Sequence, residues 1–294
     1  MSYDIYTGLL KAFSLPTTVK TDIHFVYDND NPSFIKLRTN YPIASIAGDG
    51  GDFSKAINLL HWVSSHIYHK GDFDGRIAHN SLELLNYAYD KGNLCGINCV
   101  ALATILSECL LAIGLKARRV FLMPCSPYDG DNHVVTHVYI SEMEKWVMLD
   151  PTLNAYVTNE AGDYLSLLEI RDYLANQKPV FYNTEANYNG DKLNEESTKF
   201  WIEYFAKNLF YFKVSEKSTY GDGNAIGDGK TSENRSIILS PHGYDPKQIN
   251  LSNIEYRIKM YGASPLAQSW LERTKKEKYN YCSTKDFEKT PNFT

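Results

Sequence analysis

The run from Cys99 to Ile113 is mostly apolar, with Asn98 before it, suited to a helix N-cap, and Gly114 after it, suited to the C′ position. A helix that is apolar on every side has to be enclosed by the rest of the protein. Any fold open to this chain must therefore wrap residues 99–113. Upstream, Ala56, Leu59, Leu60, Val63 and Ile67 recur at helical spacing behind Asp52, which predicts a helix over 53–67 with Asp52 as its N-cap. Leu82, Leu84, Leu85 and Tyr89 give an apolar side to a second helix over 81–89. Downstream the pattern becomes that of strands: 118–123, ended by Pro124, then 134–140 and 145–149, with residues 141–144 as the hairpin connection. A buried helix beside an antiparallel sheet is an α+β arrangement.

Residues 1–50 read as an irregular lead-in with a short strand at 24–27 and loops at 28–32 and 48–51. A further helix is expected over 165–175, and weaker signals mark a helix at 200–209 and strands at 209–214 and 235–239. The expected organisation is a lead-in over 1–50, a core over 51–185 and a C-terminal extension over 186–294. With 294 residues, 43% of them hydrophobic, the chain can bury a substantial core. A net charge of −5 and the absence of a basic stripe argue against a nucleic-acid partner. Met1 to Lys20 lacks the pattern of a signal peptide, and no stretch approaches about 18 uninterrupted apolar residues, so no membrane association and a cytoplasmic location are expected. Cys95, Cys99, Cys109, Cys125 and Cys282 form no regular framework, which suits a reducing compartment. The sequons at Asn234, Asn250 and Asn292 carry no weight without a secretory signal.

Cys99 opens the apolar helix, where unpaired N–H groups and the helix dipole favour a thiolate and could also hold an oxyanion. A cysteine in isolation would read as a small buried hydrophobe. Its flanks change that reading. Gly96-Ile97-Asn98-Cys99-Val100-Ala101-Leu102-Ala103, followed by Gly114-Leu115-Lys116-Ala117-Arg118, resembles the cysteine helix of the transglutaminase-like superfamily. His133-Val134-Val135-Thr136-His137-Val138-Tyr139 and Lys145-Trp146-Val147-Met148-Leu149-Asp150-Pro151-Thr152 are similar to that family's histidine strand and its following strand ending in Asp-Pro. The likeness spans residues 53–171.

This resemblance implies a papain-like core with a catalytic cysteine at the start of a buried helix packed on an antiparallel sheet. It also implies a Cys99, His133 and Asp150 triad, with no cofactor. Strand alternation sends His133, Val135, His137 and Tyr139 to one face, so periodicity leaves both histidines eligible as the base. Family spacing favours His133, with His137 as a strand histidine beside the site. For the side chain of the oxyanion hole, Asn93, Asn98 and Trp62 remain candidates. Cys95, Cys99, Cys125, His133 and His137 look like a zinc ligand list. However, residues four apart on a strand lie about 13 Å from each other, too far for His133 and His137 to share an ion. The stretch from Gly221 to Thr231 fails as a phosphate loop on glycine spacing, and the calcium loop counted from Asp222 fails at Ile226, so no metal is expected.

The implied activity is amide-bond chemistry on a peptide or protein through a thioester. Hydrolysis is expected over amine transfer, because the chain lacks the additional β domains and calcium sites of the large cross-linking enzymes. The competing expectation is a non-catalytic peptide-binding module, disfavoured because all three triad residue types are present.

Overall fold

A computed structural model describes residues 2–20, 23–75, 77–221 and 235–292. In the N-terminal part the helices are α1 (Ser2–Ala12), α2 (Ser33–Asn40), α3 (Ile43–Ala47), α4 (Asp52–His66), α5 (Ser81–Ala88) and α6 (Cys99–Ala112). A two-residue strand, β1 (Val26–Tyr27), lies among them. Three strands follow, β2 (Ala117–Met123), β3 (His133–Ile140) and β4 (Lys145–Asp150). After β5 (Ala155–Thr158), helix α7 (Leu167–Ala175) and β6 (Phe181–Tyr182) comes a small hairpin, β7 (Asn187–Tyr188) with β8 (Asp191–Lys192). The remainder holds α8 (Glu195–Asn208), β9 (Tyr211–Ser215), β10 (Lys217–Ser218), β11 (Ser236–Leu239), α9 (Pro246–Tyr261), α10 (Pro265–Lys276), β12 (Tyr279–Tyr281) and α11 (Thr284–Phe287).

Eight strands form one sheet in the order β12-β11-β9-β2-β3-β4-β5-β6, and β1 pairs with β10 apart from it. Every residue of β3 is buried, as expected of a strand covered on both faces. On one face Val138, Ile140, Val147 and Leu149 join the core around α6. Val120, Leu122, Val135 and Met148 point the other way, into a second core with α7, α8 and the C-terminal segments. The fold is thus α+β, and strands on both sides of residue 185 share its sheet.

Helix α6 contacts α2, α4, α5, β2 and β3, so its residues from Ala101 to Ala112 are all buried. Its one acid, Glu108, faces the start of α5 and accepts from Ser81 N (2.9 Å), Ser81 Oγ (2.6 Å) and Gly221 N (3.0 Å). Burial pushes its carboxyl up to about 7, against the pull of those donors. Asn98 caps α6 as expected, accepting from Ala101 N at 3.0 Å, and Gly114 turns the chain at φ +93°.

The irregular lead-in expected over 1–50 is instead three helices. Each is too short to stand alone in water, and packing supplies what propensity does not. Leu10 of α1 is buried where α1 meets α7 and α8, while Phe34 and Leu37 of α2 sit in the α6 core. The cap expected at Asp52 is also corrected. Asp52 is the first helical residue, and its carboxylate accepts from Ser141 N at 3.1 Å. The start of α4 is capped by Glu142, in the turn between β3 and β4, which accepts from Asp52 N (3.2 Å) and Phe53 N (2.9 Å). A tertiary cap of this kind leaves no local spacing to read. Glu142→Ala should remove both acceptors and lower stability by roughly 1 kcal/mol, the usual scale of an N-cap. Urea denaturation would show it as a reduced midpoint, and an unchanged midpoint would mean that the cap is energetically idle.

Candidate active site

Cys99 is the first residue of α6 and half-buried. The imidazoles of His133 and His69 both act on its thiol. Burial alone would push the thiol up, but the hydrogen bonds of His133 and then His69, with their charges, bring it down to about 6.

His133 reaches this point from β3. The antiparallel register pairs Thr136 with Leu149 and His137 with Met148, so one step further on Val135 lies opposite Asp150 and His133 lies diagonal to it. From there His133 Nε2 meets Asp150 Oδ2 at 2.8 Å, with both side chains almost wholly buried. The other carboxylate oxygen accepts from Thr152 N at 2.9 Å, so the turn after the strand fixes the acid's orientation. With Nε2 held by the carboxylate, Nδ1 is left to face the sulfur. Burial would depress His133, yet the charge and hydrogen bond of Asp150, then those of Cys99, raise it to about 10. Phe205 and Tyr204 of α8 pack edge-on against its ring at 5.4 and 5.6 Å, with Trp201 at 6.4 Å.

His137 shares the face of His133 but not its surroundings. It pairs with Arg118 across β2 and β3, its Nδ1 lies 3.3 Å from the guanidinium Nη2, and its ring packs on Trp146 at 5.0 Å. Burial, and then the Arg118 charge, hold it well below the usual imidazole range. It makes no contact with Asp150 or Cys99 among the described interactions, and its buried Nε2 has no hydrogen-bond partner. Arg118 itself lies against the rings of Trp146, Phe287 and Phe25 and donates to Phe287 O.

Of the three oxyanion candidates, Asn98 accepts the helix-cap bond through its side-chain oxygen, Trp62 Nε1 donates to Tyr89 Oη at 3.3 Å, and Asn93 is exposed. A group beside Cys99 that the sequence does not point to is His69. It lies in the loop after α4, thirty positions before Cys99, with no motif or periodicity to mark it. The only hint was Gly96, whose hypothetical Cβ would stand 2.7 Å from Lys70 Cβ, since a glycine there signals close backbone approach. Among the described residues no group of three or more His, Cys, Asp or Glu is arranged to hold a metal ion. The stretch rejected above as a phosphate or calcium loop lies, apart from Gly221, on residues 222–234, outside the described residues.

A thiol at a helix start, a strand imidazole and a buried carboxylate are thus brought to one place by an α+β fold. Residues 42–151 match the family model of the transglutaminase-like superfamily, whose members usually work through a cysteine. No curated protein and no solved structure matches the chain.

A thiolate–imidazolium pair should exist between about pH 6 and about pH 10, since Cys99 is protonated below the first value and His133 loses its proton above the second. Cys99 alkylation followed by mass spectrometry should rise through about pH 6, whereas Cys109, Cys125 and Cys282, all pushed up by burial, should lag. A Cys99 profile rising only near the ordinary thiol range would count against the pairing.

Proposed function

We propose that the chain is a cysteine-dependent acyl-transfer enzyme that hydrolyses amide bonds in a peptide or protein, with Cys99 as nucleophile, His133 as general base and acid, and Asp150 as the orienting carboxylate. The observation that carries this reading is the buried His133–Asp150 pair, Nε2 to Oδ2 at 2.8 Å, whose imidazole also draws down the half-buried Cys99 thiol.

The thiolate of Cys99 attacks the substrate carbonyl carbon, and the carbonyl π electrons move to oxygen. His133, holding the thiol proton at Nδ1, passes it to the amide nitrogen as the C–N bond breaks, leaving a thioester and a free amine. Water then gives a proton to His133 as it adds to the thioester carbon. Collapse of that second tetrahedral species expels the Cys99 thiolate and releases a carboxylic acid, restoring thiolate and imidazolium. Asp150 keeps the ring in one tautomer and stabilises its cation, and does not itself take up the proton. An amine in place of water would turn the same cycle into acyl transfer. Hydrolysis is the reading adopted for this chain.

His133→Ala should reduce single-turnover acylation of Cys99 by about 10² to 10⁴, the range of general-base catalysis. His137→Ala should leave acylation near wild type and lower the melting temperature, because it removes one acceptor of the buried Arg118 guanidinium and the ring packed on Trp146. Asp150→Asn should lose turnover more than stability. The series needs one activated ester and parallel melting curves. An inactive His137→Ala beside an active His133→Ala would move the base four residues along the strand and end this assignment.

A further inference from the structure

We infer that His69 is a catalytic residue, donating a hydrogen bond from its ring to the oxyanion that forms on the substrate carbonyl. This deepens, and rests on, the thioester reading above.

The loop carrying His69 is tied to the residues just ahead of the nucleophile. His69 and Ile97 form a parallel bridge in which Ile97 N donates to Tyr68 O (2.9 Å) and Lys70 N to Ile97 O (2.8 Å). Gly96 permits this, since a side chain there would run into Lys70 Cβ and come within 3.2 Å of Tyr68 O. The opposite side is held by Asn189, at the tip of the β7–β8 hairpin with φ +55°. Its side-chain oxygen accepts from His69 N at 2.7 Å and its amide donates to His69 O at 3.1 Å. Both peptide groups flanking His69 are therefore pinned, and its ring position follows that of Cys99.

The ring's Nδ1 lies 2.9 Å from Tyr188 Oη, which leaves the other nitrogen for the Cys99 thiol that the ring helps to bring down. Facing a thiolate, that nitrogen must carry hydrogen, which the Tyr188 hydroxyl permits by donating to Nδ1. The contrast with His133 is chemical. A carboxylate orients His133 to accept a proton, whereas a phenol orients His69 to give a hydrogen bond. A carbonyl attacked by Cys99 develops its negative oxygen next to the sulfur, within the same neighbourhood. The Cys99 amide, at the first position of α6, has no intrahelical acceptor and supplies a second donor. His69 keeps its proton throughout, and no bond to it forms or breaks.

Two reactions of the same sulfur separate this role from simple support of the thiolate. Acylation by p-nitrophenyl acetate passes through an oxyanion, whereas alkylation by iodoacetamide does not. His69→Ala should slow acylation by roughly 10² to 10³, the usual loss on removing one oxyanion donor, and slow alkylation far less. His69→Gln, which keeps an N–H donor, should recover much of the loss, and Tyr188→Phe should show a smaller selective fall. Melting curves identify any variant that fails to fold, and Tyr188→Phe, the least disruptive of the three, keeps the comparison open. Equal losses in both reactions, or none in either, overturn the assignment. Failure of the wild-type protein to form an acyl adduct on Cys99, with iodoacetamide labelling intact, instead sinks the thioester reading on which it rests.

Discussion

The register between β3 and β4 is the constraint on which the site depends. It places His133 diagonal to Asp150 and His137 opposite Met148, so one strand supplies two histidines with opposite electrostatic fates. A slip of one residue would turn every side chain of the strand to the other face. The register is strongly specified because both faces are buried, with Thr136, Val138 and Ile140 committed to the α6 side and Val135 to the other. Hydrophobic packing, more than any polar contact, thus holds the imidazole within reach of its carboxylate.

The second shared element is the segment after residue 185. Helix α8 lays Trp201, Tyr204 and Phe205 beside His133, and the β7–β8 hairpin grips His69 through Tyr188 and Asn189. Tyr204 also donates to Asp131 Oδ1 and Asn132 O, steadying the loop that leads into His133. These contacts bring aromatic surface to the cluster of Cys99, His133 and Asp150, whose members all lie within residues 99–150.

What was legible in the sequence follows from this division. Helix α6 with its Asn98 cap and Gly114 terminus, the strands β2 to β4 and the order of Cys99, His133 and Asp150 all rest on short-range signals, namely periodicity, caps and flanking motifs. The choice between His133 and His137 could not be read from alternation, because it turns on Arg118, a cross-strand neighbour. The placement of His69 was hidden for the same reason, since it is set by Ile97, Tyr188 and Asn189, up to 120 positions away. The helices of residues 1–50 are not legible because their apolar positions make sense only against α4, α6, α7 and α8.

The order of the strands has a consequence for how the molecule comes into being. β9 lies between β2 and β11, and β12 pairs with β11, so the half of the sheet beyond β2 is built from residues 211–281. Arg118, on β2, stays without its Phe287 acceptor until residue 287 has been made. At ribosomal speeds of about 5–20 residues per second, the interval between Cys99 and Phe287 is on the order of ten seconds or more. For that time the thiol exists on a nascent chain whose second core is unfinished and whose Tyr188, Asn189 and α8 contacts arrive only late. Assembly of the sheet from distant segments therefore acts as a clock, bringing the full set of groups around Cys99 together only when most of the chain is in place.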